Sequence, residues 1–259
     1  MRHADIPLRR LIVAADVHQY SLRDPLSQVD AQQGVIDALD SAASAIELDR
    51  SSWHTQAQGD AELAILPPDV DEAVVVADYP RELATSLRRH NRSLRPEDRL
   101  RLRVAVHCGV LHMGALGFPG VAPVETCRLL DAPLFKQALA AADDADVVLI
   151  VSEQLFKDIV VPGYRGLREQ WFRKVAVTVK EFSGIGYITL PGLGPPAFGD
   201  SPPATSGAAP PSGPVGPAGQ AIRMKKTRAV TFGANSPAFG GGQHIHDYGS
   251  GPGGRDGRH

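Results

Sequence analysis

Hydrophobic positions follow two alternating periods over the first three quarters of the chain. Leu11, Ile12 and Val13 sit inside Arg9–Ala15, which reads as a buried strand ending at Asp16. Asp24-Pro25 supplies a cap and a first-turn proline. Leu26, Val29, Ile36, Leu39, Ala43 and Ile46 then keep roughly helical spacing. Two strand-like runs, Trp53–Gln58 and Ala61–Leu66, flank Gly59-Asp60, a tight hairpin signal. A second helical region spans Asp69–Arg92, and Pro80 is expected to break it, with the main helix starting there. Leu100, Leu102, Val104 and Val106 alternate with Arg101, Arg103 and Ala105, which predicts a strand with one wet face. A helix over roughly Pro123–Ala142, a buried strand at Val147–Val151 and a short helix capped by Ser152 follow. Strands at about Phe172–Val179 and Gly186–Leu190 close the pattern as a hairpin.

The order β-α-β-β-α-β, then α-β-α-β-β, predicts an α/β (α+β) fold. Its core is a ferredoxin-like βαββαβ unit with added C-terminal α-β-α-β-β elements. Composition shifts sharply near residue 192, and eight of the 21 prolines fall between Pro195 and Pro217. Such a stretch cannot bury enough apolar surface to offset chain entropy. The expected division is a folded domain over 5–194, a Pro/Gly/Ala/Ser-rich flexible linker over 195–221, and a mostly disordered tail over 222–259.

With 259 residues and 43% hydrophobic content, the chain can build a sizeable core. The formal net charge of −2 argues against nucleic acid as the main partner, because phosphate binding needs a basic surface. No stretch approaches the roughly 18 apolar residues that span a bilayer, so no membrane segment is expected. No signal peptide is read at the N-terminus, and Cys108 and Cys127 read as reduced thiols of a cytoplasmic protein.

The candidate chemistry starts with two carboxylates. Asp16 ends the first strand and Asp60 sits in the hairpin Gln58-Gly59-Asp60-Ala61. In a ferredoxin-like sheet the first strand lies beside the hairpin, so the two would meet at one end of the sheet. Hard oxygen ligands of this kind suit two Mg²⁺ or Mn²⁺ ions bridged by a triphosphate. Backbone amides from Val17, His18, Gln19 and Tyr20 to Ser21, turning into the next helix, would cradle phosphates.

Several segments resemble the class III adenylyl and guanylyl cyclase catalytic domain. Leu11-Ile12-Val13-Ala14-Ala15-Asp16-Val17-His18-Gln19-Tyr20-Ser21 is similar to the first strand and metal loop of that family. Gln56-Ala57-Gln58-Gly59-Asp60-Ala61 is similar to its second metal hairpin. Leu102-Arg103-Val104-Ala105-Val106-His107-Cys108-Gly109 resembles the Arg-x-Gly-Ile-His-x-Gly strand. Arg128-Leu129-Leu130 resembles the Ala-x-Arg-Leu helix, Val151-Ser152-Glu153 the Val-Ser junction, and Val179-Lys180 the closing Leu-Lys strand. The match runs in order over about residues 8–192. It implies a head-to-tail homo- or heterodimer that binds a nucleoside triphosphate. Asp16 and Asp60 would hold the metals and Arg128 would stabilise charge on the transferring phosphate. Gln56 would stand at a base-selecting position, and Lys180 is a candidate contact for the triphosphate.

The chain departs from the family at four places. Val124 stands one turn before Arg128, where cyclases place Asn, and the His107–Arg128 stretch is shorter than usual. Gln56 replaces the Lys or Glu that selects a purine, and Gln19 replaces a loop glycine. These departures leave three outcomes open: a cyclase of relaxed recognition, a nucleotide binder without turnover, or one half of a heterodimer. A diguanylate cyclase-like palm domain ranks below all three, because the hairpin reads Gln-Gly-Asp-Ala-Glu. In the tail, Ala229-Val230-Thr231-Phe232-Gly233-Ala234-Asn235 loosely resembles the cores of amyloid signalling motifs. That likeness implies a protein partner recruited by β-stacking.

Overall fold

Seven strands form one sheet in the order β2-β3-β1-β4-β5-β7-β6. The computed structural model describes residues 8–197 apart from 113, 115 and 116. The linker beyond residue 197 and the tail with its Val230–Asn235 patch lie outside the described residues. β1 (Leu8–Val17) pairs antiparallel with β3 (Ala61–Ile65) on one side and with β4 (Leu102–Leu111) on the other. β2 (His54–Gln58) forms the edge hairpin with β3, turning through Gly59 at φ +70°, a conformation open to a residue without Cβ. This β2-β3-β1-β4 arrangement is the expected βαββαβ core.

α1 (Pro25–Ala45) starts where the sequence marks it. The Asp24 carboxylate accepts from the amides of Leu26 and Ser27. The helix buries Ala31, Val35, Ala38, Leu39 and Ala42 against the face of β1 that carries Leu11, Val13, Ala15 and Val17. α2 (Glu72–Asn91) covers the same face and runs through Pro80, where a break was expected. A proline inside a helix costs about 3 kcal/mol. Here Val75, Val76, Tyr79, Leu83 and Leu87 are all buried along the helix, and each such side chain contributes roughly 1.5–3 kcal/mol. Packing outweighs the lost hydrogen bond.

The sheet's other face is covered by α3 (Val121–Leu130) and α4 (Pro133–Ala140), the crossover to the parallel strand β5 (Val147–Ser152). One helix was expected here; Pro133 instead opens a second, because its ring cannot continue the first. Leu129, Phe135 and Leu139 pack on Ile12, Ala14, Ala105, Val148 and Ile150. β4 therefore has no wet face. Ala105 is fully buried, and Arg101 donates its Nε to the Ala145 carbonyl at 2.8 Å and an Nη to the Leu139 carbonyl at 2.6 Å. The alternation of residues correctly assigns sides; what covers each side depends on α3 and α4.

Ser152 caps α5 (Glu153–Leu155), which continues as a π-helical turn over Phe156–Val160. β6 (Arg173–Val179) and β7 (Phe182–Thr189) form the closing hairpin. β7 starts earlier than expected, since Phe182–Ile185 continue the pairing with Val179–Ala176. Among the described residues no helix is long and apolar enough to cross a membrane. Cys108 is buried, Cys127 half-buried, and both are free thiols.

Candidate functional site

Asp16 stands opposite Ala61 of β3 and opposite Arg103 of β4. Asp60 immediately precedes Ala61, so both carboxylates come to the same end of the β1–β3 pair. Burial is the main reason that the Asp16 carboxyl is pushed up to about 6; Arg103 pulls it down, and the charge of Asp60 adds to the rise. The Arg103 guanidinium holds Asp16 with both arms, Nε to Oδ1 at 2.7 Å and Nη2 to Oδ2 at 2.5 Å. Sequence reasoning assigned Arg103 to a strand and missed this partnership. The signal was available: a cation between Leu102 and Val104 in an inner strand needs a counter-charge.

The Arg103 guanidinium is committed to Asp16, and Asp60 adds a second negative charge close enough to raise the Asp16 pKa. Among the described residues no group of three or more His, Cys, Asp or Glu is placed to hold a metal by itself. Asp16 and Asp60 carry oxygen donors of the type a hard divalent ion takes. A carboxylate has about four lone-pair sites, and the fork of Arg103 occupies two of those on Asp16.

The loop after β1 is only partly free to receive phosphate. Val17 is buried in the strand, and the His18 amide donates to the Arg101 carbonyl at 2.8 Å. Burial, with Arg101 and Arg103, lowers the pKa of the His18 ring. Gln19 takes φ +57° and ψ 29°, the left-handed conformation that suits a glycine. Tyr20 opens a three-residue turn. Its hydroxyl accepts from Gln32 Nε2 at 2.8 Å, and the same nitrogen donates to the Gly59 carbonyl at 3.2 Å. α1 thus ties the loop to the Asp60 hairpin.

A second group of candidates gathers elsewhere. Gln56, Val124 and Arg128 line a cleft of about 640 Å³, together with Leu63, Phe118 and Cys127. The Arg128 side chain is only 15% exposed. Its Nη2 reaches the exposed Glu181 at 3.4 Å, and its Nε is buried with no partner. Val124, one turn earlier on α3, is 47% exposed and offers no donor. Gln56 Oε1 lies 3.0 Å from where a Cβ would stand on Gly117, whose φ is +117°. Lys180 is exposed in the β6–β7 turn at φ +54°, beside Glu181, rather than within a strand. Asp60 lines a different depression, with Val17, Gln32 and Ile36. Asp60 and Arg128 therefore line separate depressions.

His107 is a buried residue of β4. Burial, then Arg9, lowers its pKa to about 4, so the 3.2 Å approach of Nε2 to Glu125 is a contact of a neutral ring rather than an ion pair. Its Nδ1 is buried without a partner.

No protein-family model matches the sequence, and no curated protein matches it. Solved structures do match by fold. The guanylyl cyclase Cya2 superposes with a TM-score of 0.50 at 12% identity, over 71% of this chain and 91% of that one. The adenylate/guanylate cyclase/hydrolase from Silicibacter pomeroyi gives 0.49 at 15%, over 72% and 99%. The adenylyl cyclase CyaB from P. aeruginosa gives 0.45 at 13%, over 71% and 96%. At such identities the likeness is one of architecture, and on the Cya2 match the domain is similar in fold to a nucleotidyl cyclase domain.

Proposed function

We propose that this domain binds a nucleoside triphosphate together with a divalent ion, as a nucleotidyl cyclase-like signalling module. The observation that carries the reading is Arg128: a largely buried guanidinium with an unpartnered Nε, opening on a 640 Å³ cleft. A buried donor of this kind is costly unless an anion meets it, and a phosphate is the natural complement. Asp16 and Asp60 hold the metal. When bound, the ion contributes charge neutralisation of the triphosphate and acidification of an attacking hydroxyl. Arg103 orients Asp16, and Gln32 keeps the loop and the Asp60 hairpin in register. Asp60 and Arg128 line separate depressions, so on this reading the complete site takes Asp16 and Asp60 from one copy and Arg128 with Gln56 from another. That is the head-to-tail pairing which the resemblance to class III cyclases implies.

A second reading is favoured by Val124. An isopropyl group beside Arg128 cannot donate to a developing negative charge, and the loss of one such donor costs about 10²–10³ in rate. On this reading the module senses nucleotide without turnover, and a partner acts through the tail. Purified protein with Mn²⁺ and each of the four triphosphates separates the two. Release of pyrophosphate that Asp60→Ala abolishes supports a cyclase. Nucleotide-dependent thermal stabilisation without product supports the sensor. Neither signal with any triphosphate would remove the proposal.

A further inference from the structure

On the opposite face of the sheet from Arg128 lies a partly open cavity of about 360 Å³. Its wall is built from α2, β5, β7 and the stretches around Leu167–Phe172 and Leu190–Pro195. Val76, Pro80, Leu149, Leu167 and Phe172 make it apolar, and Trp171 closes one side. Pro80 is the residue that α2 accommodates at a cost, and its ring is part of the lining. The lining contains one cation, Arg81, and no carboxylate. Arg81 is poorly matched. Its Nη1 stands 3.6 Å from Asp78 Oδ1, beyond hydrogen-bond range, while Oδ2 of the same Asp78 is taken by Arg165. Among the described residues the Arg81 guanidinium donates no hydrogen bond. Thr189 adds a buried hydroxyl, 3.4 Å from the Gly194 carbonyl.

We propose that this cavity is a binding site for an amphipathic monocarboxylate, with the aliphatic or aromatic body among Val76, Pro80, Leu149 and Phe172 and the carboxylate on Arg81. The volume falls within the range of small-molecule sites, and apolar walls with a few placed polar groups are their usual make-up. The sign of the ligand's charge follows from the one lining cation, Arg81, which shares the single carboxylate of Asp78 with Arg165. A guanidinium and a carboxylate form a charge-assisted pair, strongest where apolar walls limit water. The site is separate from the nucleotide cleft and does not depend on the function assigned there. Leu193 and Pro195 line it, so a bound acid would also pack against the last described loop of the domain.

The chain reports on this cavity directly, because one of its two tryptophans lines it and the other, Trp53, is buried against Tyr79 elsewhere. The probe is 12-bromododecanoate, titrated below its micelle concentration into the full chain. Saturable quenching of Trp171 is expected and disappears in Trp171→Phe. Arg81→Gln weakens binding about tenfold. Dodecylammonium and dodecanol bind at least about tenfold more weakly than dodecanoate in competition. Val76→Trp fills the space and abolishes quenching while the circular dichroism stays native. Absence of saturable quenching, equal affinity for the acid and the amine, or an unchanged affinity in Arg81→Gln would each overturn the proposal.

Discussion

Arg103 and Asp16 face each other across the β1–β4 pairing and are joined by a two-armed hydrogen-bonded ion pair, both side chains nearly buried. The pair sits where β1 runs out, at the point where a carboxylate for a metal was expected. Its geometry fixes the direction of Asp16, and its energetics make the corner costly to disturb one residue at a time.

Removing one partner strands the other charge. Arg103→Ala is expected to destabilise the domain by about 3–5 kcal/mol. The double change Asp16→Leu with Arg103→Met is expected to recover most of that loss. Urea denaturation of the two variants measures both. A double variant no more stable than Arg103→Ala would show that the pair does more than satisfy its own charges.

Arg128 contributes little to the fold, since its one partner is an exposed carboxylate at 3.4 Å. Arg128→Ala is expected to change stability by less than about 1 kcal/mol while weakening triphosphate binding at least about tenfold. Arg128→Lys keeps the charge and loses the fork, and is expected to restore only part of the affinity. Calorimetric titration with a Mn²⁺-nucleotide distinguishes the three proteins.

His107 makes stability depend on pH in a defined window. Its pKa is about 4 when folded against the ordinary 6.5, so the unfolded chain binds more protons between those values. Stability is therefore full above pH 6.5 and falls as the pH drops towards 4. The ceiling on the change is roughly 3 kcal/mol for a shift of this size. In His107→Gln the slope across that window should flatten. Denaturant midpoints at pH 4.5, 5.5 and 7 supply the comparison, and parallel curves for the two proteins would refute the assignment.

Val124→Asn places an amide one turn before Arg128, on the rim of the same cleft. If the missing donor limits turnover, pyrophosphate release should rise by up to about 10²-fold. A purely sensory domain would show no gain.

Gln19 holds a left-handed backbone at φ +57° that a side chain disfavours. Gln19→Gly should raise stability by about 0.5–1 kcal/mol, the left-handed strain removed less the extra flexibility of the unfolded glycine. A lower melting temperature would mean that the Gln19 side chain is held by contacts worth more than the strain.

Much of this architecture is legible in one dimension because its signals are local. Asp24-Pro25 starts α1 through groups two and three residues away. Gly59-Asp60 turns the hairpin within its own four residues, and Ser152 caps its own helix. Pro80 misled for the same reason. Its local penalty is real, but Tyr79, Leu83 and Leu87 are held by side chains far along the chain. The candidate site divides in the same way. Asp16 and Asp60 can be placed at one sheet end from strand order alone. Arg103 as the partner of Asp16, 87 residues away, depends on the antiparallel register of β1 and β4.

The linear pattern by itself determined the order of elements, the βαββαβ core and the strand-end positions of the two acidic residues, since each follows from spacing, capping and turn chemistry within a few residues. Only the tertiary structure decided that β4 is covered on both faces, that Asp16 is held by Arg103, that Arg128 keeps an unpartnered nitrogen, and that Arg81 stands over an apolar cavity. These are contacts between residues distant along the chain. Their existence depends on which helices settle on which side of the sheet, and that is decided by the packing of the whole core.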